Sequence, residues 1–481
     1  MKLAKYICIA LLIPVLSCDQ WLELVPPNGL VQDEYWKSKE DVEATLMGAY
    51  QLFNQMDEKL FLYGEIRGDM ISRDNNTPNY INSIIEGNIY PDNKLCDWSE
   101  FYMIINYCNN VLKYNPIVFD IDNTYSEFQM KGIESEALFL RSLAYFYLVR
   151  IFKEVPFVTV PSESDDVDFY LPKTSESVIL ESITLDLLEA RKFVKEEYGS
   201  PENNMGRASR NSINALLADI SLWNFEYQAC IDYIEEIENT TVTLVSSGKW
   251  FSIFYPGNSL EGIFELQFDS NQDQNNTLYR VTYTEDKYMA SLRAFDRLSL
   301  EETGEIVRSE GSFRSTDSKV WKYCGAAPDG KSLRPSSDKA SANWIVYRYA
   351  DIILMKAEAL SQLGSYQQAI KLVNDVRSRA LMKEKSAPQN ADAFEDLIME
   401  ERAIELAFEG KRWFDLLRMG RRNNFARKEK LISVIIENFP SSKRLVLASK
   451  LTDPQGWYLP IEDEELERNN LLEQNPYYEG Y

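Results

Sequence analysis

Residues 215–235 read ALLADISLWNFEYQACIDYIE, and residues 354–374 read LMKAEALSQLGSYQQAIKLVN. Each carries an alanine (Ala218, Ala357), a tyrosine nine positions on (Tyr227, Tyr366) and a small residue three further (Cys230, Ala369). That pattern predicts two helices joined by a turn, with small side chains where the helices cross closely. A generic helix hairpin would explain either copy alone, and the copies are not tandem. Further helical stripes surround them. A capping-box start at Ser38–Asp41 leads into Val42, Leu46, Ala49, Tyr50 and Phe53 on one face. More helices are predicted near 98–114, 134–152 and 175–195, and Glu154-Val155-Pro156 stops the second of these.

The pairs look like tetratricopeptide units. The predicted class is therefore mostly α, an irregular helical scaffold with tetratricopeptide-like helix pairs and a loop-rich insert with short strands. The insert, about 240–345, breaks the helical pattern. Thr241–Val245 and Gly262–Phe268 alternate as short strands would. Its remaining polar stretch carries Tyr279, Tyr283, Tyr288, Trp321, Tyr323 and Trp344, which argue against disorder. A long irregular segment inside an ordered domain is then expected to be functional.

The chain opens with Lys2 and Lys5, an apolar run from Tyr6 to Leu16, and Ser17-Cys18. About 11 apolar residues at ~1.5 Å each cannot cross a ~30 Å hydrocarbon core, so this reads as a secretory signal. A cysteine directly after the small residue is the pattern of a bacterial lipoprotein acylated on Cys18. An ordinary signal peptide with a chance cysteine is the alternative. The expected organisation is a signal peptide at 1–17, a lipidated tether and leading segment at 18–37, and one domain at 38–481.

Composition narrows the chemistry. The chain has no histidine, which removes Ser-His-Asp and Cys-His hydrolase sites and every His-liganded metal. Loss of residues 1–17, with two lysines and no acid, takes the formal charge from −24 to −26. Nucleic acid, which needs a basic face, is an unsuitable partner. Cys96, Cys108, Cys230 and Cys324 form no Cys-x-x-Cys pair. Cys96 and Cys108 would stand about 18 Å apart along one helix, beyond the ~7 Å reach of a disulfide, so free buried thiols are expected. The acidic clusters Glu163–Asp168 and Glu462–Glu465 lack calcium-loop spacing and read as solvated surface.

Five stretches in order resemble the SusD/RagB family. They are LELVPPNGLVQDEYWKSKEDVEATLMGAY (22–50), EALFLRSLAYFYLVRIFKEVPFV (136–158), YRYADIILMKAEAL (347–360), ERAIELAFEGKRWFDLLRMGR (401–421) and YLPIEDEELERNNLLEQNPYY (458–478). Lys153 and Tyr477 stand where Gly is usual, Lys411 where His is frequent, Met419 where Trp is frequent and Glu462 where Pro is usual. The resemblance implies a lipid-anchored outer-membrane protein at the cell surface. It also implies a SusC-type TonB-dependent transporter as partner, an oligosaccharide ligand and neither catalysis nor cofactor. A minority of the family binds peptides.

Sugar rings present apolar C–H faces and hydroxyl edges, which call for flat aromatic faces and for carboxylate, amide or guanidinium groups. Two loop regions offer that mixture. The first is Gly68–Asn76, with Asp69, Arg73 and Asp74, leading on to Trp98. The second is the insert from Gln267, with Tyr279, Trp321, Tyr323 and Trp344. Trp321 and Tyr323 share a side if that piece is extended. The competing readings are a core position for Trp98 and a buried ion pair for Asp69 and Arg73. In Glu409–Leu416, Gly410 could relieve close packing and Arg412 could reach Asp415 or a carbonyl, a structural role. A glycoside hydrolase would need two carboxylates ~5–10 Å apart across a cleft, and no motif places such a pair.

Overall fold

The two helix pairs read from the sequence lie side by side. In chain order the elements are α1 (Lys39–Asn54), α2 (Asp57–Glu65), β1 (Ile71–Arg73), α3 (Asn79–Ile85), α4 (Ser99–Ile121), α5 (Glu127–Phe152), α6 (Glu176–Ala190), α7 (Pro201–Gly206), α8 (Arg210–Trp223), α9 (Tyr227–Glu238), β2 (Gly262–Leu266), β3 (Tyr288–Ala290), α10 (Leu292–Ser299), α11 (Val307–Ser312), β4 (Trp344–Arg348), α12 (Tyr349–Gln362), α13 (Tyr366–Arg379), α14 (Ala391–Glu405), α15 (Arg412–Phe425), α16 (Lys428–Ile436), α17 (Ser441–Leu451) and α18 (Asp463–Arg468). This computed structural model describes residues 35–73, 76–162, 170–299, 307–323, 327, 332–335 and 340–479. The signal peptide, Cys18, most of the leading segment, Asp74, the cluster Glu163–Asp168 and Cys324 lie outside the described residues.

Helices α8 and α9 turn at Phe225 (φ +63°), and α12 and α13 turn at Gly364 (φ +80°). Ala218, Cys230, Ala357 and Ala369 are fully buried. Their small side chains let the paired helices approach closely, and α9 packs directly on α12. The insert thus leaves and re-enters one continuous helical stack. At its centre α5 packs on α4 and α6 and is buried along most of its length.

Helix α5 ends at Lys153, with φ +72° and ψ −56°. The Glu154 N–H donates to the Phe152 carbonyl at 2.9 Å, closing a γ-turn that strains a residue with a Cβ. The family's usual glycine at this position is free of that strain. Lys153→Gly is therefore expected to stabilise the fold by about 1 kcal/mol, measured by urea unfolding. A destabilised variant would contradict the strain argument.

Gly262–Leu266 forms β2, antiparallel to β4 with Gly262 opposite Arg348, and both strands are buried throughout. The expected strand at Thr241–Val245 does not form. The Thr243 N–H bonds to the Leu260 carbonyl, and the Val245 N–H bonds to the Glu261 carboxylate at 3.1 Å, in place of a strand ladder. Cys96, Cys108 and Cys230 are free and buried, and burial pushes the Cys108 thiol up to about 12.

Beneath β4 lies a buried ionic cluster. Arg348 pairs with Glu261 at 2.6 Å and with Glu405 and Glu409 at 2.8 Å. Lys322 meets Glu409 at 2.7 Å and Arg379 meets Glu261 at 3.0 Å. Nearby, Gly64 packs on the backbone of Gly410, where an added Cβ would sit 1.9 Å from the carbonyl oxygen. Glu65 Oε1 accepts from the Gly410 N–H at 2.8 Å, while its Oε2 is buried without a hydrogen-bond partner. Burial raises the Glu65 carboxyl to about 8, only partly offset by the Gly410 and Lys411 N–H groups and by Arg412. Its folded value exceeds its unfolded one, so this contribution to stability is complete below about 4.5 and is lost as pH rises toward about 8. Glu65→Gln keeps the acceptor and removes the ionisation, so it should remove a loss of roughly 1–3 kcal/mol across that window. Parallel pH–stability curves for the two proteins would contradict this.

Candidate functional site

The two loop regions singled out in the sequence meet. Strand β1 pairs antiparallel with β3, with Ile71 opposite Ala290 and Arg73 opposite Tyr288. The Ser291 N–H donates to the Met70 carbonyl at 2.9 Å, and the Thr77 hydroxyl donates to the Lys287 carbonyl at 2.7 Å. Met289 bridges to Lys319, which brings the 313–321 segment alongside. Before β3 stands a turn of π-helix, Arg280–Thr284. It is anchored by Asp57, which accepts from the Thr277 N–H at 2.6 Å, and by Asn276, whose side chain accepts from the Tyr279 N–H at 2.9 Å. Burial raises the Asp57 carboxyl to about 6.

On this frame Tyr279 and Tyr283, four residues apart, stack with ring centroids 5.5 Å apart and planes at 21°. Trp321 follows, 5.9 Å from Tyr283 and tilted by 49°. The Arg314 guanidinium lies over both Tyr283 (5.4 Å) and Trp321 (5.2 Å), and the Lys319 ammonium lies 4.8 Å from the Tyr283 ring. All three rings are half-buried and present part of their surface to solvent. Cation–π contacts and stacking fix their orientation before any ligand arrives. The result is a bent aromatic platform rimmed by charged and hydroxyl groups.

The sequence-predicted residues divide. Tyr279 and Trp321 belong to the platform. Tyr283 was not among the candidates; its i, i+4 spacing from Tyr279 is the signal that would have found it. Arg73 is exposed on β1 and pairs with Glu86. Three expectations are corrected by burial. Asp69 is 0% exposed and held by Arg412 at 2.7 Å and Arg297 at 2.5 Å. Burial alone would raise its carboxyl, but the two guanidinium groups outweigh it and hold it down at about 2. Arg412 therefore reaches Asp69 and the Met399 carbonyl, whereas Asp415 is occupied by Arg402 and Arg418. Tyr323 and Trp344 are core residues whose rings pack against each other at 5.4 Å. A turn at Lys322–Tyr323 ends the extended stretch, so Trp321 and Tyr323 do not share a side.

Trp98 takes the core position that competed with a binding role, 3% exposed and packed edge-on against Tyr102 and Phe152. One edge lines a separate cavity of about 700 Å³ among Tyr102, Pro156, Val158, Tyr170 and Leu472. Three of its polar side chains are engaged internally. Tyr102 donates to the Pro156 carbonyl at 2.6 Å, Asn109 to the Val158 and Val160 carbonyls at 3.2 Å, and Asn469 to the Leu171 carbonyl at 2.8 Å. Asn106, Ser162, Glu465 and Arg468 also line this cavity, so it offers polar groups beside its apolar wall.

Comparison with known proteins agrees with this fold. A profile of the SusD family matches residues 313–478, and a second, described as starch-binding associating with outer membrane, matches residues 20–222. SusD-like protein P38 of Formosa agariphila is 28% identical, covering 84% of this chain and 88% of that protein. A SusD-like protein of Bacteroides ovatus is 23% identical, covering 83% of this chain and 79% of its own. A crystal structure of a SusD superfamily protein from Bacteroides vulgatus superposes with a TM-score of 0.77 at 20% identity, covering 92% of this chain and all of the other. A laminarin-binding SusD-like protein superposes with a TM-score of 0.71 at 21% identity, covering 93% of this chain and all of its own. Tyr279 and Tyr283 fall between the two matched profiles.

Proposed function

The chain belongs to the SusD family, and on that premise we propose that it is a surface lipoprotein that captures an oligosaccharide. It then hands the sugar to a SusC-type TonB-dependent transporter in the outer membrane. The observation that carries this reading is the platform of Tyr279, Tyr283 and Trp321, held rigid by Arg314 and Lys319. The ring surface left open to solvent receives the C–H face of a sugar, and the 49° tilt between Tyr283 and Trp321 suits a chain that bends from one residue to the next. The sugar is bound and released intact. Lipid on Cys18 holds the protein at the membrane, and the family description, starch-binding associating with outer membrane, supports the location but not the anchor.

The reading is tested by calorimetric titration of the mature chain, without its lipid, against oligosaccharides and a peptide digest. Saturable heat with intact sugar is expected. Heat with peptides alone, or degraded sugar, would overturn it. In cells, Cys18→Ala should move the protein out of the membrane fraction, and the wild type should co-purify with a TonB-dependent transporter from solubilised outer membranes.

A further inference from the structure

From the charges around the platform we infer a ligand class: the site takes uncharged oligosaccharides and rejects those bearing uronate or sulfate groups. This rests on the capture reading above. Recognition of a carboxylate or sulfate calls for a cation able to turn toward it, best a guanidinium offering two parallel N–H groups. Four cations surround the platform, and each is committed to a carboxylate. The Arg314 fork closes on Asp317, with Nε to Oδ1 at 2.8 Å and Nη2 on Oδ2. Lys319 pairs with Asp286 at 2.8 Å. Arg280 meets Glu285 at 3.0 Å and Glu58 at 3.7 Å, and Lys287 meets Glu285 at 2.5 Å. Four acids therefore answer four bases among these described residues. Arg314 and Lys319 also lie over the rings, so moving either to an anionic ligand would break an ion pair and loosen the platform together.

The whole chain is strongly acidic, at −24. A polyanion approaching the platform meets like charge at long range and paired cations at short range. A neutral sugar meets neither obstacle. Its hydroxyls can accept from and donate to the ion pairs without separating them.

The test compares neutral oligosaccharides (laminarin-, cellulose- and starch-derived hexamers) with oligogalacturonate and a sulfated carrageenan oligosaccharide, using the mature chain. At least one neutral hexamer should bind, with an affinity that changes by less than about twofold between roughly 20 and 500 mM NaCl, because no net charge is neutralised. The acidic probes should bind at least about tenfold more weakly. Asp317→Asn releases the Arg314 fork and should raise the affinity for oligogalacturonate relative to the neutral hexamer by about fivefold or more, an effect that salt suppresses. Wild-type binding of an acidic probe as tight as that of any neutral one, lost on Tyr283→Ala, would overturn the inference and leave capture standing. Equal acid-to-neutral ratios in wild type and Asp317→Asn would also overturn it. Silence from every probe would bring down capture itself, and the inference with it.

Discussion

Replacing Arg348 with alanine is expected to abolish folding. This guanidinium is 0% exposed and joins β4 to three buried carboxylates on two other segments, Glu261, Glu405 and Glu409. It also donates to the Glu405 carbonyl at 2.8 Å. Removing one partner from a buried ionic group leaves uncompensated charge and typically costs 3–5 kcal/mol, roughly. Here three acids lose a shared partner at once. The expected loss is at or above about 5 kcal/mol, against a total stability of roughly 5–15 kcal/mol for a domain. Arg348→Lys retains the charge but cannot bridge three carboxylates, so it should rescue only part. Soluble yield and urea midpoints check both variants. Acid should act like the mutation. Burial works to raise the Glu405 carboxyl, but Arg379, Arg348 and Arg308 hold it well below its ordinary value, and Arg348 and Lys322 hold Glu409 low. A depressed carboxylate contributes stability that is present above its unfolded value of about 4.5 and is lost as pH falls below it. An Arg348→Ala protein that folds and melts like the wild type would show the cluster to be dispensable.

The second large effect is on binding. Trp321→Ala and Tyr283→Ala should each weaken oligosaccharide binding by about 10- to 100-fold, the cost of a central aromatic anchor. Because both rings are half-buried on the insert, their removal should move the melting temperature little. Trp98→Ala should do the reverse. Trp98 is packed against Tyr102 and Phe152, so truncation opens a cavity and costs roughly 3–5 kcal/mol of stability, while sugar affinity is retained. Asp69→Asn belongs with Trp98: it unbalances Arg412 and Arg297 in the core and should lower stability without changing affinity. If Trp98→Ala abolished binding in a folded protein and Trp321→Ala did not, the ligand would belong in the 700 Å³ cavity.

The helical frame was readable because its signals are local. Ala218, Cys230, Ala357 and Ala369 mark close helix crossings in the sequence, and all four are buried at such crossings. The stripe of Val42, Leu46 and Ala49 marks one face of α1, with its start fixed by the Ser38 N–H donating to Asp41 at 2.8 Å. The binding site was less readable because burial in the insert depends on distant pairing. Trp344 begins a strand whose partner, β2, lies some 80 residues earlier, and that pairing puts it in the core. Asp69 is claimed by Arg297 and Arg412, 228 and 343 residues away. Tyr323 follows the end of an extended stretch, where alternation no longer holds. Of the two partners the sequence offers Arg412, Asp415 or a carbonyl, it takes a carbonyl, that of Met399, because Arg402 and Arg418 already occupy Asp415. What survives from the sequence is the pair of regions. The 68–76 loop and the insert do meet, through β1 and β3.

The most direct measurement is a calorimetric titration of the mature chain with oligosaccharides, run in parallel on wild type, Trp321→Ala and Trp98→Ala, with the sugar recovered and sized afterwards. The account predicts saturable binding of intact sugar by the wild type, its loss in folded Trp321→Ala, and its retention in Trp98→Ala. Binding unaffected by Trp321→Ala, or sugar recovered in shorter pieces, would contradict capture on the platform.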